Sequence, residues 1–464
     1  MMSAQTRATA MLVAAFAASV CNASGTSTAN VAGAMDSATT LEAASRRSAL
    51  RKAVIDWNGT AVSSVLKAGL SPTVGVIHMA YVHLAIYDAV NAVERGYRPY
   101  GPVFAADPRA SVDAAIAAAS HKVLAHYFPN QAADLDAAYA AALAVVPDTA
   151  ARDDGIAAGE KAAQQILAMR AGDGLFAAVT YTPVPGPGEW QPTPPAFLPA
   201  QTPQVAVMTP FTMESASQFR PGGPPDLDSD VWANDYAETK AYGAVNSTVR
   251  TPAQTEIGLF WTAHPVPQFS GILSKLAADE DLDASQAARL FAMSFVAVAD
   301  AAIGCWDGKY HYHFWRPVTA IRAGDTDGNP ATEPDPGWTP LAVTPNHPEY
   351  PAAHGCATGA LTRTLEILFG PHVQLSASSS VTNTTHTFSS PEDLLHEVQA
   401  ARIYGGMHYR NSIEVGTALG HCVVAQLRKH YFRHGRTRPS IDRHDEISLD
   451  FDEDNRCGAE GERR

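Results

Sequence analysis

Apolar residues recur every three or four positions through most of the chain, the period of one helix face. Helical periodicity begins near Arg47. The pattern predicts helices over residues 73–93, 111–127, 131–145 and 151–171, with breaks at Pro147-Asp148 and Gly172-Asp-Gly174. It resumes over 229–244, 252–263, 267–279, 284–305, 355–369, 391–403 and 411–431. Strict apolar–polar alternation is almost absent. The expected fold class is therefore all-α, a large helical bundle. His78 and His83 stand five apart, do not share a helix face, and read as core histidines. Leu290 to Trp306 is the most apolar stretch, but Asp300 interrupts it, so a buried core helix is expected and no membrane span.

Residues 176–227 break the pattern. Pro183-Val-Pro-Gly-Pro-Gly188, Pro192-Thr-Pro-Pro195 and Pro221-Gly-Gly-Pro-Pro225 deny it a helix. Its interleaved Trp190, Phe197, Phe211 and Phe219 predict a long loop that packs onto the body and frames a cleft.

The ends differ again. Residues 1–24 read as a signal peptide: Arg7, an apolar run from Ala10 to Val20, then small residues near Cys21. That implies a secreted or periplasmic protein. Residues 25–46, small and polar, read as a flexible linker. Residues 47–434 form the helical domain, and 435–464 a charged, disordered tail. Four cysteines, Cys305, Cys356, Cys422 and Cys457, remain after the leader and allow three pairings. A net charge of −14 argues against nucleic acid as a partner. A homo-oligomer is compatible with the sequence but not specified by it.

The chemistry gathers in three stretches: Lys309 to Pro317, His347 to Gly355, and Arg402 to His408. Lys309 and Arg316 are seven apart, which on one helix would set both cations on nearly one face, about 10 Å apart along the axis. Inward cations are tolerated when an anion sits between them. Arg316 and Arg402 supply forked donors and Lys309 a point charge, a set suited to a tetrahedral oxyanion. Pro351-Ala-Ala-His-Gly355 stands where a helix starts, so the N–H of Ala353 or a neighbour can face the same anion. Gly405-Gly406 lets the chain turn back and bring His408 beneath it. His354 would serve as acid/base from the other side. Asp325-Thr-Asp-Gly-Asn329 reads as an ordinary turn and not a calcium loop. His311, His313 and His421 have no recognised metal-ligand spacing.

Lys309-x6-Arg316-Pro317, Pro351-x-x-His354 and Arg402-x5-His408 resemble the three-part signature of the type 2 phosphatidic acid phosphatase superfamily. Phe314-Trp-Arg-Pro-Val-Thr-Ala-Ile-Arg322 and His347-Pro-Glu-Tyr-Pro351 are most similar to its soluble branch, the vanadium-dependent haloperoxidases, as is Ile77 to Asn91 far upstream. The resemblance runs over roughly residues 47–432. It implies a helical bundle holding vanadate, with His408 as the single ligand to vanadium. Lys309, Arg316, Arg402 and the N–H of Ala353 would hold oxygens, and His354 would act as acid/base. Lys309 would also polarise the bound peroxide. Trp306 and His347 would line the halide pocket, and the histidine hints at bromide over chloride. The substrates implied are hydrogen peroxide and a halide.

Three positions depart from the family pattern. Ala352 and Ala353 replace its usual Ser-Gly, and Ser412 stands where it usually has Asp, leaving Asn411, Ser412 or Glu414 to orient His408. Two alternatives use the same residues. One is a soluble acid phosphatase that holds phosphate in the same site and hydrolyses a small phosphoester through a phosphohistidine at His408. The other is a non-catalytic phosphate-binding protein.

Overall fold

The computed structural model describes residues 28–146, 149–435 and 457. Among these, helices dominate as the periodicity requires. The chain runs α1 (Thr28–Lys67), α2 (Pro72–Glu94), α3 (Val112–Tyr127), α4 (Ala132–Ala144) and α5 (Thr149–Arg170). After the long loop come α6 (Asp230–Gly243), α7 (Pro252–Phe260), α8 (Pro265–Asp279), α9 (Ala284–Tyr312) and the short α10 (Pro317–Arg322). The last helices are α11 (Ala353–Phe369), α12 (Pro391–Tyr404) and α13 (Arg410–His430). An antiparallel hairpin, β1 (Leu375–Ser379) and β2 (Thr384–Phe388), separates α11 from α12. Almost no strand was expected from the sequence. The hairpin is Ser/Thr-rich, so its five-residue strands carry almost no apolar residues for an alternation to show.

Local chemistry sets the helix starts. Ser71 caps α2 with Pro72 in its first turn, and Asp283 and Gln286 close a capping box on α9. Helices α2 and α9 are long and apolar, and they are buried almost all round. They form the centre of the bundle, as a helix apolar on every face must. His83 stacks between Phe291 and Phe295, with ring centroids 4.8 Å and 5.2 Å away, and bonds Asn58, as a core histidine should. Asp300, the charge inside the apolar run, accepts the backbone N–H groups of Phe211 (2.6 Å) and Thr212 (2.7 Å). It thereby pins the long loop to α9.

That loop packs on the body as expected, with Trp190 and Phe211 buried, but Phe197 points outward. It reaches α9 and its exit: the N–H of Trp190 donates to the carbonyl of His313 at 2.6 Å, and Trp306 donates to Thr202 at 3.0 Å. Residues 28–46, expected as a flexible linker, belong to the first part of α1. They are Ala-rich and contain no proline, which favours helix. Of the described residues, 28–49 belong to one compact unit and those from Leu50 onward to a second. The signal-like residues 1–24 and the tail beyond Gly435 lie outside the described residues, Cys457 excepted. Cys457 is joined to Cys422, while Cys305 and Cys356 are free and buried.

Candidate functional site

The three stretches meet. Helix α9 ends at Tyr312 because His313 takes a left-handed conformation, φ 55°, and breaks it. Arg316 is then the extended residue before Pro317, as a pre-proline position prefers. Lys309 and Arg316 therefore do not share one helix face, contrary to the spacing argument. They reach the site from the last turn of α9 and from the start of α10. Both are fully buried, and so is Arg402 near the end of α12. Gly406 at φ +71° turns the chain after α12, as expected, and His408 follows before α13 begins.

Lys309 is held in a cage of carbonyls. Its Nζ donates to the carbonyls of Pro348 (2.9 Å), Glu349 (2.8 Å) and Pro351 (2.6 Å). All three ammonium donors are thereby committed to the 348–351 strap, and none is offered to an anion in this conformation. Burial lowers its pKa to about 8, offset by Cys305 nearby.

Arg316 ties the strap to the histidine. Its Nε donates to the carbonyl of His347 (2.8 Å) and its Nη2 to Nδ1 of His347 (2.9 Å). Its Nη1 donates to the carbonyl of Met407 (2.9 Å) and to Nε2 of His408 (3.1 Å). On the other side of the ring, Nδ1 of His408 lies 2.7 Å from Oε1 of Glu349, which also accepts the N–H of Tyr409 at 3.2 Å. These partners assign the tautomer: Nδ1 carries the proton and Nε2 presents a lone pair. Burial, then the cations Arg316, Lys309 and Arg402, keep the ring neutral by lowering its pKa well below the usual histidine range. Burial raises Glu349 to about 7, with Lys309 and Arg316 pulling the other way.

Glu349 is the partner that sequence reasoning missed. Asn411 instead bonds Asp235 through its backbone N–H (3.3 Å), and Glu414 is exposed. The signal was present in His347-Pro-Glu-Tyr-Pro351, where a single carboxylate sits in a proline-rich stretch that ends buried.

The second histidine is held differently. His354 lies in the first turn of α11 against the backbone carbonyl of Trp261. That carbonyl also accepts Nη1 of Arg402 at 3.1 Å. Burial and then Arg402 push the pKa of His354 well below its usual value, so the ring is neutral. Ala352 occupies the N-cap of α11 and makes no side-chain cap, which leaves the N–H groups around Ala353 for another acceptor. The Nε of Arg402 is buried with no hydrogen-bond partner.

Three buried cations, an orphaned guanidinium N–H and an uncapped helix start call for an anion with several oxygens. Vanadate or phosphate fits this donor set. No cluster of three histidine, cysteine or carboxylate ligands that could hold a metal cation occurs among the described residues. Trp306 and His347 lie together, ring centroids 4.9 Å apart, beside Lys309 and Arg316. A cavity of about 930 Å³ opens elsewhere, between residues 217–231 and α13; of the strap residues only Tyr350 lines it.

Known proteins share the fold. Residues 289–436 match the family model described as the VCPO second helical-bundle domain. The curated vanadium chloroperoxidase of Curvularia inaequalis is 34% identical over 144 residues, 25% of this chain and 23% of that protein. The chain thus spans about a quarter of the length of the curated relative it matches. A solved bacterial vanadium-dependent iodoperoxidase superposes with a TM-score of 0.74 at 24% identity, covering 84% of this chain and 98% of that one. A holo-type bacterial vanadium-dependent chloroperoxidase gives 0.63 at 16% identity, covering 77% and 92%.

Proposed function

We propose, from the premise that this chain is a member of the vanadium haloperoxidase family, that it binds vanadate at His408 and oxidises halide with hydrogen peroxide. One observation carries the reading: Glu349 fixes His408 so that its Nε2 lone pair points among buried cations.

Vanadate held there supplies a Lewis-acid centre that activates peroxide toward a halide. The protein's part is binding and proton handling. Nη1 of Arg316, now on Nε2, would have to leave the ring for that lone pair to hold the ion. Arg402 offers its orphaned Nε, and α11 offers the N–H of Ala353. Glu349 keeps the proton on Nδ1. His354, neutral, would accept and return a proton on its side of the site. Lys309 would reach a group held there only by releasing one strap carbonyl. Trp306 and His347 line the halide side. By the family resemblance His347 points to bromide over chloride, and the likeness to an iodoperoxidase adds iodide to the halides to be tried.

A second reading, a soluble acid phosphatase, is favoured by the same Glu349–His408 pair, since a carboxylate-paired imidazole is an activated nucleophile. We place the protein outside the cytoplasm, on its signal-like start and its Cys422–Cys457 disulfide.

The test is halogenation of an acceptor dye by purified protein with orthovanadate, peroxide and iodide, bromide or chloride in turn. Vanadate-dependent halogenation with bromide ahead of chloride is expected. Release of phosphate from an aryl phosphate without vanadate, and no halogenation, would move the assignment to the phosphatase.

A further inference from the structure

The hairpin between α11 and α12 has no part in the chemistry so far, yet it ends at Trp261. His386 on β2 bonds two carboxylates: Nδ1 lies 2.7 Å from Oε1 of Glu397 on α12, and Nε2 lies 3.0 Å from Oε2 of Glu256 on α7. Its ring stacks on Phe260 with centroids 3.9 Å apart. Ser379 on β1 donates to the carbonyl of Phe260 at 2.8 Å, and Thr384 donates to Glu256 at 2.6 Å. The hairpin thus grips the last residues of α7.

Trp261 comes next and is held at both ends by one helix. Its indole N–H donates to Oε1 of Glu397 at 2.9 Å, and its carbonyl accepts Arg402, five residues further along α12. The same carbonyl faces His354. Both groups that reach the anion from this side therefore take their position from one backbone oxygen. We propose that Glu397 is a positioning residue which, through Trp261, sets Arg402 and His354, with His386 and the hairpin bracing it. A backbone carbonyl can be aimed only by fixing its residue, and Trp261 is fixed at its indole.

The His354 part of this proposal rests on the acid/base reading above; the Arg402 part needs only an anion site. The experiment therefore measures inorganic phosphate binding to the vanadate-free full chain by calorimetry, alongside halogenation. Glu397→Leu removes the acceptor, Glu397→Gln keeps one, and Trp261→Phe deletes the indole N–H together with part of the buried ring. Phosphate affinity is expected to fall three- to tenfold in Glu397→Leu and Trp261→Phe and to return in Glu397→Gln. In a His354→Ala background, with orthovanadate saturating so that weaker anion binding through Arg402 does not register, Glu397→Leu should cost little further turnover, because the acid/base group it positions is gone. Unchanged phosphate affinity in a folded Glu397→Leu or Trp261→Phe protein would overturn the proposal. So would a turnover loss that simply multiplies with His354→Ala. If Glu397→Leu does not fold, Trp261→Phe decides.

Discussion

The two histidines of the site sit in opposite kinds of surroundings. His408 is gripped through side chains: Glu349 on Nδ1, Arg316 on Nε2, all fully buried. His354 stands at an uncapped helix start and leans on a backbone carbonyl. The first arrangement fixes one tautomer and one lone pair, which a ligand needs. The second leaves a neutral ring free to gain and lose a proton, which an acid/base needs. Burial depresses both rings, so it is the partners and not the pKa values that separate their roles.

Breaking the side-chain half should have the largest effect. Arg316→Lys keeps the charge but loses the fork that joins His347, Met407 and His408. Orthovanadate affinity, read by equilibrium dialysis, should drop about a hundredfold, the worth of one or two charge-assisted hydrogen bonds. Glu349→Ala should come next, with affinity down by about ten- to a hundredfold. Glu349→Gln, which can still accept from Nδ1, should lose less. Equal losses in the two would mean that charge and not orientation is what Glu349 supplies.

The backbone half is sharpened by a smaller change. Ala352→Ser places a hydroxyl at the N-cap of α11, where none exists. Without anion, the protein should gain about 1 kcal/mol of stability, seen as a higher melting temperature. Saturating phosphate should raise the melting temperature of this variant less than that of the wild type, if anion and cap compete for the same N–H groups. An equal rise in both would mean that the helix start is not part of the cradle.

Much of this was legible beforehand because it is local. Helical period, proline and glycine breaks, and the order of Lys309, Arg316, His354, Arg402 and His408 are all short-range signals. What was hidden depends on chain segments meeting. Glu349 reads as a loop glutamate until the 348–351 strap is folded over Lys309. Trp261 contributes a carbonyl, and a main-chain oxygen leaves no trace in a side-chain pattern. The error over Lys309 and Arg316 has the same origin. Their spacing suits one helix, but Pro317 fixes the preceding residue as extended, and the helix had to end first. The Ser/Thr-rich hairpin escaped because its strands have almost no apolar residues to alternate with the polar ones.

The division of labour between the two histidines is the central claim. One measurement tests it most directly: orthovanadate binding and bromide oxidation, run in parallel on His408→Ala and His354→Ala. The account predicts that His408→Ala loses both binding and turnover. It predicts that His354→Ala binds orthovanadate within about threefold of wild type while turnover falls about 10²- to 10⁴-fold. Tight orthovanadate binding by His408→Ala, or loss of binding in His354→Ala, would contradict it.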